Sequence, residues 1–297
     1  MKQNPPTLLV VTGPTAVGKT SYAVRLAQQY DTVVLSADSR QIYRGMEIAT
    51  AQPTGEERQG VKHYFIGEVE ATDTYSAGRF EREALAVLDV LFQKHRYVVV
   101  AGGTGLYIRA LIHGFDEHLP ADAMLRAQLT QKLHEEGKEA LFAQLQRLDP
   151  DYAAQVDPHN PHRLIRALEV CITAGVPYSA LRKNQPRPRP FQSIVILLQR
   201  EREDLYERIN RRVLQMMNHG LLEEARKWYP QRHLQATQTV GYKELFQYFD
   251  GKISLDEAVK LIQRNTRHFA KRQLTWFRKM EYDILIDAAD AEAKSRV

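Results

Sequence analysis

The sequence predicts an α/β protein: a P-loop NTPase- or kinase-like parallel sheet with helices on both faces, plus an all-helical insertion domain. Three observations predict it. A Val- and Leu-rich run over residues 8–12 leads into Gly13-Pro14-Thr15-Ala16-Val17-Gly18-Lys19-Thr20, and a helical pattern follows over 21–29. Further apolar runs at 32–37, 97–101 and 193–198 alternate with amphipathic stretches, as strands of a sheet covered on both faces do. Between the last two runs, residues 117–181 are helical and polar, with no convincing strand.

The first element carries the clearest chemistry. An apolar strand, a Gly-x-x-x-x-Gly-Lys-Thr loop and a helix start occur in the order a phosphate cradle requires. Gly13 and Gly18 let the backbone curl until successive amides point inward, and the helix dipole adds positive potential. Lys19 brings a full charge to a terminal phosphate, and the Thr20 hydroxyl can ligate Mg2+. The loop binds a di- or triphosphate without saying whose.

The remaining elements follow in order. Residues 32–37 form a strand ending in Asp38-Ser39-Arg40-Gln41, and 79–94 an amphipathic helix. Residues 97–101 form a third strand, followed by Gly102-Gly103-Thr104-Gly105. Ligands of such sheets sit beyond the carboxyl ends of the strands, so the P-loop, Asp38 and Thr104 are expected in one crevice. Helices are expected at 121–136, 138–148, 152–155 and 161–174. A Pro-rich segment precedes the return to the sheet near residue 191. Helices at 202–219, 221–228, 241–249 and 255–280 precede a fifth strand at 283–286. The organisation is 1–116 core, 117–190 helical insertion and 191–297 core.

Composition narrows the class. With 43% hydrophobic and 26% charged residues the chain is an ordinary globular protein. The single cysteine, Cys171, excludes a disulfide framework or a Cys-rich zinc site and is expected to be a packed core thiol. No signal-type or membrane-length apolar run occurs, so the expected setting is the cytoplasm without membrane attachment. His159 and His162 have no third ligand in view. Net charge is +5, and residues 260–280 hold Lys260, Arg264, Arg267, Lys271, Arg272, Arg278 and Lys279 with no acid. Ile262, Phe269, Trp276 and Met280 would form an apolar stripe elsewhere on that helix. A second basic cluster spans residues 182–189. A solvated basic face explains one such segment; two in a phosphate-binding protein favour a polyanionic substrate, nucleic acid above others.

Asp38 is the informative acid. Beside a phosphate site it can ligate a metal, bind a ribose, act as general base, or simply cap the following turn. Thr104 can cap its helix, orient Asp38 or touch substrate. Spacing leaves these open.

Together, the P-loop, Asp38-Ser39-Arg40-Gln41-Ile42-Tyr43 and Gly102-Gly103-Thr104-Gly105-Leu106-Tyr107 resemble the tRNA dimethylallyltransferase (tRNA isopentenyltransferase, IPP transferase) family. So do Asn160-Pro161-His162-Arg163-Leu164-Ile165-Arg166-Ala167-Leu168-Glu169, residues 208–216, Val240-Gly241-Tyr242-Lys243-Glu244 and residues 264–278. The matches run from Gly13 to Arg278, and the lack of a C-terminal Cys/His finger resembles the bacterial branch. Residues 62–68, Lys-His-Tyr-Phe-Ile-Gly-Glu, depart from the family's paired histidines and Leu-Ile-Asp.

The resemblance implies transfer of a dimethylallyl group from dimethylallyl diphosphate to N6 of the adenine 3′-adjacent to the anticodon, in tRNAs reading codons that begin with U. It implies catalytic roles for Asp38 (general base), Thr104, Lys19 and Arg212, with the donor diphosphate on Gly13 to Thr20 and Mg2+. It implies tRNA contacts from Asp38, Ser39, Arg40, Gln41, Thr104, Arg126, His162, Arg163, Leu164, Ile165 and Arg166, with a monomer as the working form. The basic helix near the C-terminus is an added candidate for phosphate contacts. Two rivals stand beside this: a P-loop nucleoside or nucleotide kinase using ATP, and a nucleotide-dependent RNA-binding switch without chemistry.

Overall fold

The computed structural model describes residues 5–114, 122–182 and 185–294. Six strands form one parallel sheet in the order β3-β2-β4-β1-β5-β6. They are β1 (Thr7–Thr12), β2 (Val34–Ser36), β3 (His63–Tyr64), β4 (Tyr97–Gly102), β5 (Gln192–Gln199) and β6 (Ile284–Asp287). The helices are α1 (Lys19–Gln29), α2 (Gly55–Arg58), α3 (Ala77–Leu91), α4 (Gly105–His113), α5 (Ala123–Leu148), α6 (Pro150–Ala153) and α7 (Pro161–Ala174). After these come α8 (Tyr178–Leu181), α9 (Arg202–Asn218), α10 (Leu221–Trp228), α11 (Tyr242–Phe249), α12 (Leu255–Phe277) and α13 (Ala288–Lys294).

Period-2 alternation explains why β1 is central. Leu9 and Val11 face a core with Ala23 and Ala27 of α1, Leu205 and Ile209 of α9 and Ala270 of α12. Leu8 and Val10, on the opposite face, are equally buried, so the strand is covered on both sides, as parallel strands must be. β1 lies between β4 and β5, with Thr12 paired to Gly102 at its carboxyl end. The chain leaves β1 for β2 and returns to β4 before crossing to β5, which makes the β1/β4 boundary the switch point where a ligand crevice opens.

The chain divides into two compact units, Met1–Ile112 with Pro188–Val297, and His113–Arg187. The second is all helical. Its core gathers Leu129, Leu141 and Leu145 of α5, Tyr152 of α6, and Leu164, Leu168 and Cys171 of α7. Gly137, with φ 82°, breaks α5 into two arms at the expected point between residues 136 and 138. Cys171 is a buried thiol that accepts a hydrogen bond from the Tyr178 amide. The insertion boundary expected at 117 and the helix start expected at 121 lie outside the described residues.

Three expectations need correction. The sheet has a sixth strand: β3 falls on the segment that departs from the family pattern, where two paired residues are too few to show a periodicity. The basic cluster at 182–189 is open only in part, at Arg187. Arg182 lies over the rings of Tyr152 and Tyr178, and Arg189 is buried against Glu81 at 2.6 Å and the Ala110 carbonyl at 2.7 Å. Its Lys183 and Asn184 lie outside the described residues. Finally, the buried stripe of α12 is Ala258, Ile262, Ala270, Gln273 and Phe277, while Phe269 and Trp276 are exposed. A step of seven slips about 20° per two turns, which carries Phe269 and Trp276 to the edge of the buried face. No helix among the described residues is long and apolar enough to cross a membrane.

Candidate active site

The P-loop takes the curled form its glycines allow. Gly13 has φ 148° and Gly18 φ 111°, and a Cβ on Gly13 would sit 2.5 Å from the Leu198 carbonyl oxygen. Lys19 Nζ donates to the carbonyls of Gly13 at 3.0 Å and Pro14 at 2.7 Å. Arg208 Nε donates to the Ala16 carbonyl at 2.9 Å, and Arg212 Nη1 reaches the Thr15 hydroxyl at 3.4 Å. Residues 208 and 212 are one helical turn apart on α9, so both present from the same face. Burial is the main reason the Lys19 ammonium is pushed down to about 8; the Asp38 carboxylate opposes this and the Arg212 guanidinium reinforces it. Burial also lowers Arg212. Neither cation has a carboxylate within ion-pair distance among the described residues. Desolvated cations without an ion-pair partner make a site in which an anion is strongly favoured.

Asp38 and Thr104 lie past the ends of β2 and β4. Asp38 Oδ1 accepts the Arg40 amide at 2.9 Å and the Gln41 amide at 3.4 Å, so it does cap its turn. The carboxylate also lines a cavity of about 40 Å3 with Lys19, Thr20, Gln41, His63, Ile66 and Gly102. Thr104 acts on Asp38 through its neighbour: its Oγ1 accepts the Ser39 amide at 3.0 Å and donates to the Ser39 hydroxyl at 3.3 Å. Lys19 and Thr20 of the P-loop thus share one crevice with Asp38 past the strand ends, and Thr104 stands behind it, bonded to Ser39. Arg40 Nη1 is bonded to the Gln235 carbonyl at 2.9 Å, and Gln41 Nε2 to the Ala51 carbonyl at 2.8 Å.

Several supporting residues lie in stretches that match the family, but nothing in the sequence marked their contacts. Gln273 of α12 accepts the Thr15 amide at 2.8 Å and donates to the Gly103 carbonyl at 2.9 Å. Arg208 was named only within a matched helix. The Val240–Glu244 stretch works at a distance. The Tyr242 hydroxyl donates to Glu224 at 2.8 Å, and Glu224 accepts the Ile48 and Ala49 amides, both at 2.8 Å. Those bonds fix the loop whose Ala51 carbonyl holds Gln41. Burial raises the Glu224 carboxyl despite these donors.

In the helical unit, α7 begins at Asn160, whose Oδ1 accepts the Arg163 amide, with Pro161 in its first turn. His162 and Arg163 are exposed there. Leu164 and Ile165 are 0% and 8% exposed in the unit's own core, so their side chains do not present to a ligand. Arg126 and Arg166 converge on Glu169, at 2.7 and 2.9 Å. That carboxylate is 1% exposed and also accepts the Asp122 amide at 2.9 Å.

Among the described residues, no three His, Cys, Asp or Glu side chains gather into a metal cage. Mg2+ seldom needs one, because it is held by one or two protein oxygens plus substrate phosphates. Thr20, in the crevice beside the P-loop amides, fits that pattern.

The IPP transferase family model matches residues 41–280. The chain is 48% identical over 272 residues to a tRNA dimethylallyltransferase of Christiangramia forsetii, covering 92% of this chain and 90% of that one. It is 47% identical to tRNA dimethylallyltransferase 1 of Bacteroides thetaiotaomicron, covering 93% and 90%. Among solved structures it resembles the full-length tRNA isopentenylpyrophosphate transferase of Bacillus halodurans, with TM-score 0.69, 40% identity and coverage of 95% and 90%. It also resembles a eukaryotic dimethylallyltransferase described as acting on tRNA, with TM-score 0.82, 27% identity and coverage of 95% and 74%. With this sheet, this crevice and these matches, the chain is an enzyme that belongs to the IPP transferase family.

Proposed function

We propose that the protein transfers a dimethylallyl group from dimethylallyl diphosphate to N6 of the adenine 3′-adjacent to the anticodon of tRNA. It would do so in the cytoplasm and as a monomer. The observation that carries this is the crevice itself: a P-loop with two desolvated, unpaired cations opposite a carboxylate, in a chain of this family. The loop from Gly13 to Thr20 takes the diphosphate. Lys19 and Arg212 neutralise the charge that grows on it as the carbon–oxygen bond breaks and the electron pair leaves with phosphate. The N6 nitrogen attacks the allylic carbon, and Asp38 accepts the N6 proton. Thr104, through Ser39, holds the Asp38 turn in place. Mg2+ on the Thr20 hydroxyl would add charge neutralisation at the diphosphate.

An adenine inside a stacked loop cannot reach such a crevice, so the base is flipped out to enter it. Ser39, Arg40 and Gln41 flank its entry. In the helical unit, Arg126, His162, Arg163 and Arg166 contact the anticodon stem-loop, with the backbone of Leu164 and Ile165 in the same turn. The exposed cations of α12 (Lys260, Arg264, Lys271 and Arg272) and of the turn that follows it (Arg278 and Lys279) add phosphate contacts.

The test is mass spectrometry of nucleosides from unmodified tRNA incubated with the protein, Mg2+ and either dimethylallyl diphosphate or ATP. An adenosine heavier by one dimethylallyl group, with the first donor alone, is expected. ATP consumed with the tRNA unchanged would support the kinase reading instead.

A further inference from the structure

We propose that Gln273 is a positioning residue that sets the distance between the P-loop and the Thr104 loop, and so between the diphosphate and the acceptor. The choice of substrates rests on the transferase reading above; the geometry does not.

β1 and β4 are held in register as far as Thr12 and Gly102, where the Thr12 hydroxyl donates to the Gly102 carbonyl at 3.0 Å. Past that pair the sheet no longer fixes the spacing of the two loops. Gln273 bridges them with both ends of one amide, its Oε1 taking the Thr15 amide at 2.8 Å and its Nε2 giving to the Gly103 carbonyl at 2.9 Å. It is 6% exposed, on a helix seated by Ile262, Ala270 and Phe277. A polar side chain in the buried stripe of a helix requires such partners.

The fit leaves no slack. A Cβ on Gly103 would lie 2.4 Å from Gln273 Nε2 and 3.6 Å from Lys19 Nζ. One turn on, Trp276 packs so closely on Gly105 that a Cβ there would lie 2.0 Å from its Nε1. Only a primary amide of this length has an acceptor for Thr15 and a donor for Gly103. A carboxylate would satisfy the first, repel the second and place negative charge beside Lys19. A thioether of equal length would satisfy neither.

The test compares Gln273→Met, Gln273→Glu and Gly103→Ala in the full chain, with Gly103→Ala also made on a Gln273→Ala background. Gln273→Met is expected to lower kcat about 10- to 100-fold, with tRNA affinity within about threefold and the fold retained. Gln273→Glu should in addition raise the KM for dimethylallyl diphosphate and weaken inorganic diphosphate about tenfold by titration calorimetry. Gly103→Ala should lower kcat in the parent but cost less than about twofold once Gln273 is shortened, because the space is vacated. Parent-like kcat and KM in Gln273→Met, or an equal cost of Gly103→Ala in both backgrounds, would overturn the proposal. Should the parent leave tRNA unmodified, the transferase reading fails, while the diphosphate titration of Gln273→Glu still judges the bridge.

Discussion

Two regions of this molecule hold cations in opposite ways. At the P-loop, Lys19, Arg208 and Arg212 are aimed at carbonyls and a hydroxyl, and Lys19 and Arg212 have no carboxylate partner among the described residues. In the helical unit, Arg126 and Arg166 share the buried carboxylate of Glu169. The first arrangement costs stability and awaits an anion. The second spends a buried carboxylate on orienting two guanidiniums whose net charge is already partly compensated. A desolvated, unpaired cation binds a small polyanion strongly; an oriented, half-exposed one reads the position of a phosphate on a large one.

The largest expected effect sharpens the first region. Asp38→Ala should lower turnover about a thousandfold while tRNA affinity changes less than about threefold, since a general base contributes on the order of 10²–10⁴ to rate. Equal losses in both would make Asp38 a binding residue.

Next is Lys19→Met, expected to cost about 100-fold in kcat/KM for dimethylallyl diphosphate with RNA binding retained. The same variant should be more heat-stable than its parent at pH 7. Folding pushes Lys19 to about 8 from its ordinary 10.5. The charged form is thus disfavoured in the folded state, and its cost is fully present below pH 8. That cost is relieved as pH rises through 8 towards 10.5, where the unfolded chain binds the extra proton. Parent stability should therefore gain from this group over that window, and the Met variant should not. In kinetics the sign reverses. As Lys19 loses its charge above pH about 8, kcat/KM for the donor should fall, and a flat profile to pH 9.5 would exclude Lys19 as the phosphate cation.

Smaller effects test the second region. Arg126→Ala should weaken tRNA about tenfold and reduce the salt dependence of binding by about one phosphate contact, leaving the donor KM alone. Glu169→Gln should cost about 1–3 kcal/mol of stability, seen by thermal or denaturant unfolding, because a buried acceptor of three donors is weakened. Its effect on tRNA affinity should be only about threefold. A larger loss of tRNA affinity than Arg126→Ala causes would mean that Glu169 itself meets the RNA.

Much of this was legible before the structure. The P-loop, the strand-end logic that gathers Asp38 and Thr104, and the break between residues 136 and 138 are local patterns, set by glycine spacing and apolar runs. What was not legible depends on residues far apart in sequence. Gln273 bonds Thr15 across 258 positions, and nothing in its own neighbourhood marks a glutamine in a basic helix as buried. Arg189 looked like part of a basic patch until Glu81, which sits on the buried face of α3, proved to be its partner. β3 has only the pairs Val34–His63 and Leu35–Tyr64 to define it. Leu164 and Ile165 are buried in a motif whose His162 and Arg163 are exposed, and motif membership does not separate the two faces of a helix.

The most direct measurement of this division of labour is equilibrium binding of unmodified tRNA to Lys19→Met beside its parent, at one salt concentration. The expected result is a Kd within about threefold of the parent in a protein that has lost donor use. A loss of tRNA affinity as large as the loss of donor use would contradict it, and would make the P-loop part of the RNA site.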